Sequence, residues 1–267
     1  MTDTAVLQDE MILEEHLPFT LDAGVSERAR IGVIVLATDY TMEREWMNLM
    51  DIPGVAVYAA RIKNDPQITP ETLRAMEPRL TDTADLILPG AELDVLAFGC
   101  TSASMAIGEK RVFELLEASK PGAKYTTPIT SAFAAFRAFG AKRIGVLTPY
   151  RADVNRIVAD YITTHGGVDV PVFGSFNEEM DDKVARIDPA SIKTGIERLK
   201  GLAQIDAVFV SCTSVRLATV AAELERDIGL PITSSNHAMA WHALRLGGVK
   251  DERPEFGTLF TKQLPED

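Results

Sequence analysis

The 267-residue chain contains two cysteines, and both sit in the same triplet: Cys100-Thr101-Ser102 and Cys212-Thr213-Ser214. A thiolate is both a base and a nucleophile, but an ordinary thiol is only a few per cent ionised at neutral pH. A helix N-terminus lowers a thiol pKa by a unit or more. Each triplet follows an apolar, strand-like run, LDVLAFG (93–99) and IDAVFVS (205–211), and precedes a stretch with helical spacing. Thr101 or Ser102, and Thr213 or Ser214, are natural N-caps for those helices. Each triplet therefore offers a thiol, two hydroxyls and free backbone N–H groups at one spot. That combination suits a small carboxylate held beside a reactive sulfur. A single cysteine at a strand end is ordinarily a small core residue; two in matched triplets argue for chemistry. Two thiols flanking one cleft can take a proton from one face of a carbon acid and return one to the other, which is racemisation without a cofactor. Alternatively, one thiolate adds to an activated double bond and leaves after bond rotation.

The elements that carry the triplets repeat as well. Arg30-Ile31-Gly32 recurs 113 residues later as Arg143-Ile144-Gly145, and Asp94 and Cys100 recur 112 residues later as Asp206 and Cys212. Pro128-Ile129-Thr130-Ser131 and Pro231-Ile232-Thr233-Ser234 form a third echo, 103 apart. The repeat is too long for a solenoid and predicts two similar halves related by a pseudo-twofold axis. The runs 30–37, 55–60, 94–99, 143–148, 168–174 and 205–211 read as strands. They are nearly continuous and apolar, as in a parallel sheet covered on both faces. Helices are expected over 191–202 and 214–228, and from the Thr69-Pro70-Glu71 start signal. The predicted fold is α/β, with two Rossmann-like halves and the site in the cleft between them, at the strand C-termini. The expected division is an extension over 1–29 (acidic at Asp9, Glu10, Glu14, Glu15, Asp22 and Glu27), halves over 30–128 and 129–234, and a C-terminal helix and tail over 235–267 that returns to the first half.

Composition narrows the function. Lys and Arg total 27 against 39 Asp and Glu, a net charge of −12, which argues against a nucleic-acid partner. No apolar run approaches the roughly 20 residues of a membrane span, and the first residues lack a secretory pattern. A soluble, cytoplasmic protein without disulfides is expected. His16, His165, His237 and His242 form no H-E-x-x-H pair, and no phosphate-loop or dinucleotide fingerprint is present. No metal and no cofactor are expected, so the chemistry falls to side chains.

The motifs RIGVIVLATDYTME, FGCTSASMAIGE, RIGVLTPY, FGSFN and VSCTS, spread over residues 30–250, resemble the aspartate/glutamate racemase superfamily, in its maleate isomerase and arylmalonate decarboxylase branch. Within it, GCTSASMAIGE followed by TTPITSAFAAFRAFGAKRIGVLTPYRADVN is similar to the racemase-like proteins of ectoine and hydroxyectoine utilisation. The resemblance implies Cys100 as nucleophile or first base and Cys212 as the opposing acid or base. It implies that Tyr150 contacts substrate, that Asn177 binds a carboxylate, and that Thr101, Ser102, Thr213 and Ser214 line carboxylate pockets. Asp39 stands where maleate isomerases carry asparagine. An ionised Asp repels a dicarboxylate but pairs with an ammonium group; the simpler role is capping the next helix. Decarboxylases of the branch keep only the second cysteine, so the pair favours an isomerase. The expected activity is racemisation or isomerisation of a small amino acid or carboxylate, within ectoine breakdown in its narrowest form. Maleate cis-trans isomerisation, decarboxylation and non-catalytic binding of a small acid stay open, as does thiol redox chemistry. A homodimer or tetramer is compatible with the sequence. Trp46, Met47, Trp241 and His242 read as packing or contact residues, and Glu178–Asp182 as a solvated loop or helix start.

Overall fold

The computed structural model describes residues 14–265. Asp9 and Glu10 of the expected extension lie outside them. Residues 14–28 run along the surface, with Leu17, Phe19 and Leu21 exposed.

The first half contains β1 (Ala29–Leu36), α1 (Met42–Leu49), β2 (Val55–Ile62), α2 (Pro70–Arg74), α3 (Leu80–Asp85), β3 (Val95–Gly99), α4 (Thr101–Ile107), α5 (Glu109–Ser119) and β4 (Lys124–Thr126). After α6 (Pro128–Phe139) the pattern restarts with β5 (Arg143–Thr148), α7 (Ala152–His165), β6 (Asp169–Ser175), α8 (Asp181–Val184), α9 (Pro189–Leu202), β7 (Ala207–Val210), α10 (Ala221–Ile228), β8 (Ile232–Ser234) and α11 (Ser235–Leu246). The sheets run β2-β1-β3-β4 and β6-β5-β7-β8, and all pairings are parallel. The α/β fold with two matching parallel sheets is as the repeat predicted. The inner strands β1, β3, β5 and β7 lie between helices on both faces, so both side-chain sets are buried, as in β3, whereas the edge strands β2 and β6 are partly exposed.

The third echo is not a structural equivalence. Pro128–Ser131 opens α6, whereas Pro231–Ser234 leads into and forms β8. The equivalent positions are the capping residues: Thr127 Oγ1 accepts from Thr130 N at the start of α6, and Ser234 Oγ accepts from His237 N at the start of α11. The strands β4 and β8, three residues each, carry too little pattern to stand out in the sequence. Helix α6 packs on β7 and β8 of the second sheet and α11 on β3 and β4 of the first, and the two helices pack on each other. Each half thereby covers part of the other's sheet, and Trp241 is buried in this shared core.

The helix expected over 214–228 begins only at Ala221, after an irregular stretch and a short 3₁₀ turn, Ala218–Val220. The cause is Glu45 on α1. Its Oε1 accepts the N–H groups of Leu217 and Ala218, at 2.9 and 2.8 Å, and holds the loop after Cys212 open. At Thr69 the expected cap is present: its hydroxyl accepts from Thr72 N, with Pro70 in the first turn.

Candidate active site

The loops after the C-terminal ends of the strands converge on one cavity between the halves. It is lined by Cys100, Thr101, Ser102, Tyr150, Asp181, Cys212, Thr213 and Ser214. Leu36, Ile68, Leu73 and Met76 supply an apolar wall, and Asn64, Asp65, Gln67 and Thr72 a polar end. The cavity leaves only about 20 Å³ for the centre of a water molecule and opens to solvent at its polar end, where Asp65 and Gln67 are exposed.

Cys100 is positioned by Gly99, whose absent side chain makes room for Met42. A Cβ there would lie 2.5 Å from Met42 Cε and 2.9 Å from Ile34 O. Cys100 itself takes the N-cap position of α4, extended at φ −141°, and Thr101 begins the helix. The capping role expected of Thr101 or Ser102 is thus displaced by one residue. Thr101 Oγ1 instead donates to Ser235 Oγ at 2.7 Å, joining α4 to α11. Cys212 is held by Ser211 N donating to Leu147 O and receives Ser214 N–H at 3.4 Å. It has no helix directly behind it, so the matched sequences provide different local fields.

Burial pushes both thiols up to about 12, the Asp181 charge adding to it, against hydrogen bonds from Ala103 N–H to Cys100 and from the Tyr150 hydroxyl and Ser214 N–H to Cys212. The lowered thiol pKa expected from helix N-termini is absent, because desolvation outweighs the local donors. Burial also lifts the Tyr150 phenol well above its ordinary range, the cysteines reinforcing it, so Tyr150 stays a donor. Among the described residues no three His, Cys, Asp or Glu side chains cluster as metal ligands, and no helix is long and apolar enough to cross a membrane.

The family model for arylmalonate decarboxylase matches residues 58–260. The chain belongs to that family. A maleate isomerase of Geobacillus stearothermophilus is 28% identical over 263 residues, covering 89% of this chain and 99% of the relative. The arylmalonate decarboxylase of Bordetella bronchiseptica is 30% identical over 141 residues, 52% of this chain and 58% of its own. The crystal structure of the maleate isomerase Iso from Pseudomonas putida S16 superposes with a TM-score of 0.79 at 25% identity, covering 87% of this chain and 98% of that one.

In this arylmalonate decarboxylase family member, seven of the nine residues singled out from the sequence line the cavity: Cys100, Cys212, Thr101, Ser102, Tyr150, Thr213 and Ser214. Asn177 does not. It is exposed, in a left-handed turn at φ 55°, and lies on an open surface depression with Arg151, Asp153 and Glu179. Its N–H donates to Ser175 Oγ at 3.0 Å. Asp39 is buried behind the cavity lining. Its Oδ1 accepts Thr41 N and Met42 N at 2.7 Å each, capping α1, while Oδ2 has no partner. Burial raises its pKa to about 6.

Asp181 was missed, because Glu178–Asp182 reads as a solvated run. It is 3% exposed, with its carboxylate accepting from Thr38 Oγ1 and from Ser214 Oγ at 3.1 Å. The reason is tertiary. Gln67 and Met180 form an antiparallel bridge, and Ile68 N donates to Glu179 O at 3.1 Å. The loops after the two edge strands thus meet over the cavity. The signal available in the sequence was the repeat itself, since β2 and β6 hold matching edge positions and their following loops must face the same cleft.

Proposed function

We propose that this protein is a cofactor-independent enzyme that racemises or isomerises a small amino acid or carboxylate, with Cys100 and Cys212 as the acid–base pair. The observation that carries this reading is the presence of both buried thiols and buried Tyr150 in the lining of one narrow cavity at the strand C-termini. One thiolate removes the proton from the carbon beside the substrate carboxylate, forming an S–H bond and leaving the electron pair on carbon and its carboxylate. The opposing thiol then delivers its own proton to the other face. Tyr150 and Ser214 N–H stabilise the charge on Cys212. Ser102 and the neighbouring hydroxyls hold the carboxylate. Exclusion of water strengthens these contacts.

Maleate cis-trans isomerisation is the second reading, favoured by full-length maleate isomerase relatives. There the thiolate adds to the double bond, the new single bond rotates, and the thiolate is expelled. The likeness of the first cysteine motif to ectoine-utilisation proteins supports ectoine, hydroxyectoine and their ring-opened amino acids as substrates to examine. The experiment is proton NMR of the protein in D₂O with these compounds, both enantiomers of aspartate and glutamate, and maleate. Loss of an α-proton signal, absent in Cys100→Ser and Cys212→Ser, supports two-thiol proton transfer. Fumarate formation from maleate supports the addition route. Full exchange in either variant refutes the thiol pair.

A further inference from the structure

The geometry points to Asp181 as the specificity-determining residue of the site, selecting a substrate that carries a cationic nitrogen as well as a carboxylate and excluding dicarboxylates. This inference rests on the cavity being the active site, as proposed above, and adds the charge of its occupant. Among the described residues that line the cavity, none is Lys, Arg or His, whereas two are aspartates, Asp65 and Asp181. A dicarboxylate would set two negative charges beside the buried Asp181 carboxylate, with no cationic side chain among the described lining residues to offset the repulsion.

Asp181 is built into the cavity. Its backbone N–H donates to Pro66 O at 3.4 Å, next to the bridge that joins the halves. Its carboxylate is oriented by two hydroxyls, Thr38 Oγ1 and Ser214 Oγ, and Ser214 belongs to the second cysteine triplet. The Thr38 hydroxyl is in turn fixed by Asn64 Nδ2 at 2.8 Å. Asp39 lies behind it, adds negative potential and carries a buried oxygen without a partner. An ammonium group on the substrate would satisfy Asp181 with a charge-assisted hydrogen bond.

The same contact bears on the chemistry. The Asp181 carboxylate acts on both thiols and favours their protonated forms. A bound cation offsets that charge and eases formation of the thiolate. A second substrate carboxylate does the opposite. Substrate charge thus reaches kcat as well as KM.

Maleate and the enantiomers of 2,4-diaminobutyrate make a suitable pair of probes, because both have four carbons and a carboxylate, while the saturated diamino acid carries an α-ammonium group and an aminomethyl group in place of the second carboxylate. Binding to the whole protein is read by calorimetry, and turnover by α-proton exchange in D₂O or by fumarate formation. The wild type is expected to bind and exchange at least one diaminobutyrate enantiomer and to prefer it over maleate. Asp181→Asn should lower affinity for the diamino acid about ten-fold or more and raise that for maleate. Asp181→Glu should keep the wild-type order. A purely structural role would weaken both probes equally, and that result overturns the inference. So does a wild type that prefers maleate, or one that neither binds nor exchanges either enantiomer. If exchange persists in Cys100→Ala and Cys212→Ala, the thiol mechanism fails, while the charge preference is still read from calorimetry.

Discussion

Glu45 is the carboxylate on which burial and hydrogen bonding oppose each other most directly. It is 4% exposed, yet three N–H donors point at it: Leu217 N and Ala218 N at Oε1, and Asn236 Nδ2 at Oε2 at 2.8 Å. Burial prevails and raises its pKa from 4.5 to about 7. The folded protein therefore holds this proton more tightly than the unfolded chain does. As pH rises from 4.5 to about 7, the unfolded chain ionises first and stability falls, levelling off above the folded value. At 1.36 kcal/mol per unit, the loss is roughly 3 kcal/mol. Glu45→Gln removes the charge at every pH and keeps the acceptor for Leu217 and Ala218, but sets an amide nitrogen against Asn236 Nδ2. That lost bond costs about 1–2 kcal/mol. The variant should thus be less stable than wild type at pH 4 and more stable at pH 8, each by about 1–2 kcal/mol, or roughly 2–8 °C in melting temperature. Thermal unfolding at the two pH values, followed by circular dichroism, reads the crossover. Lower stability of the variant at both pH values would refute the reasoning and mean that the three donors keep Glu45 ionised at little cost.

Three further outcomes are expected. Cys100→Ser and Cys212→Ser should each lower exchange about 10²-fold or more while leaving the melting temperature near wild type, as judged by NMR and thermal unfolding. Tyr150→Phe removes the hydroxyl donor to Cys212, so the acidic limb of the kcat/KM–pH profile, which reports formation of that thiolate, should move to higher pH and the rate should fall about ten-fold. Gly99→Ala places a Cβ against Met42 and the Ile34 carbonyl and should cost about 1–3 kcal/mol in urea unfolding.

The sequence by itself determined what short-range chemistry encodes. Six strands stood out because they are apolar, β-branched runs; the inner ones, such as Ala29–Leu36 and Val95–Gly99, are buried on both faces, while the edge strands Val55–Ile62 and Asp169–Ser175 are partly exposed. The Thr69-Pro70 start signal is local, and so is its cap. The duplication paired Cys100 with Cys212 because equivalent strand ends in two matching sheets must approach the same cleft. Six cavity residues, the two Cys-Thr-Ser triplets, followed from proximity to those strand ends, and Tyr150 from the family resemblance. Only the tertiary structure decided what depends on contacts between distant segments. Acidic Glu178–Asp182 carries no sign that Asp181 is buried, because the loop at 66–68 and the hydroxyls of Thr38 and Ser214 do the burying. Asn177 sits in a motif that suggested the site, but its backbone turns left-handed and keeps it at the surface. The two identical triplets ended in different environments, since Glu45 of the first half captures the N–H groups that would have started a helix behind Cys212. The thiols' resting protonation was likewise outside the reach of the local pattern. Desolvation depends on everything packed around the sulfur, and here it exceeds what the nearby N–H donors supply.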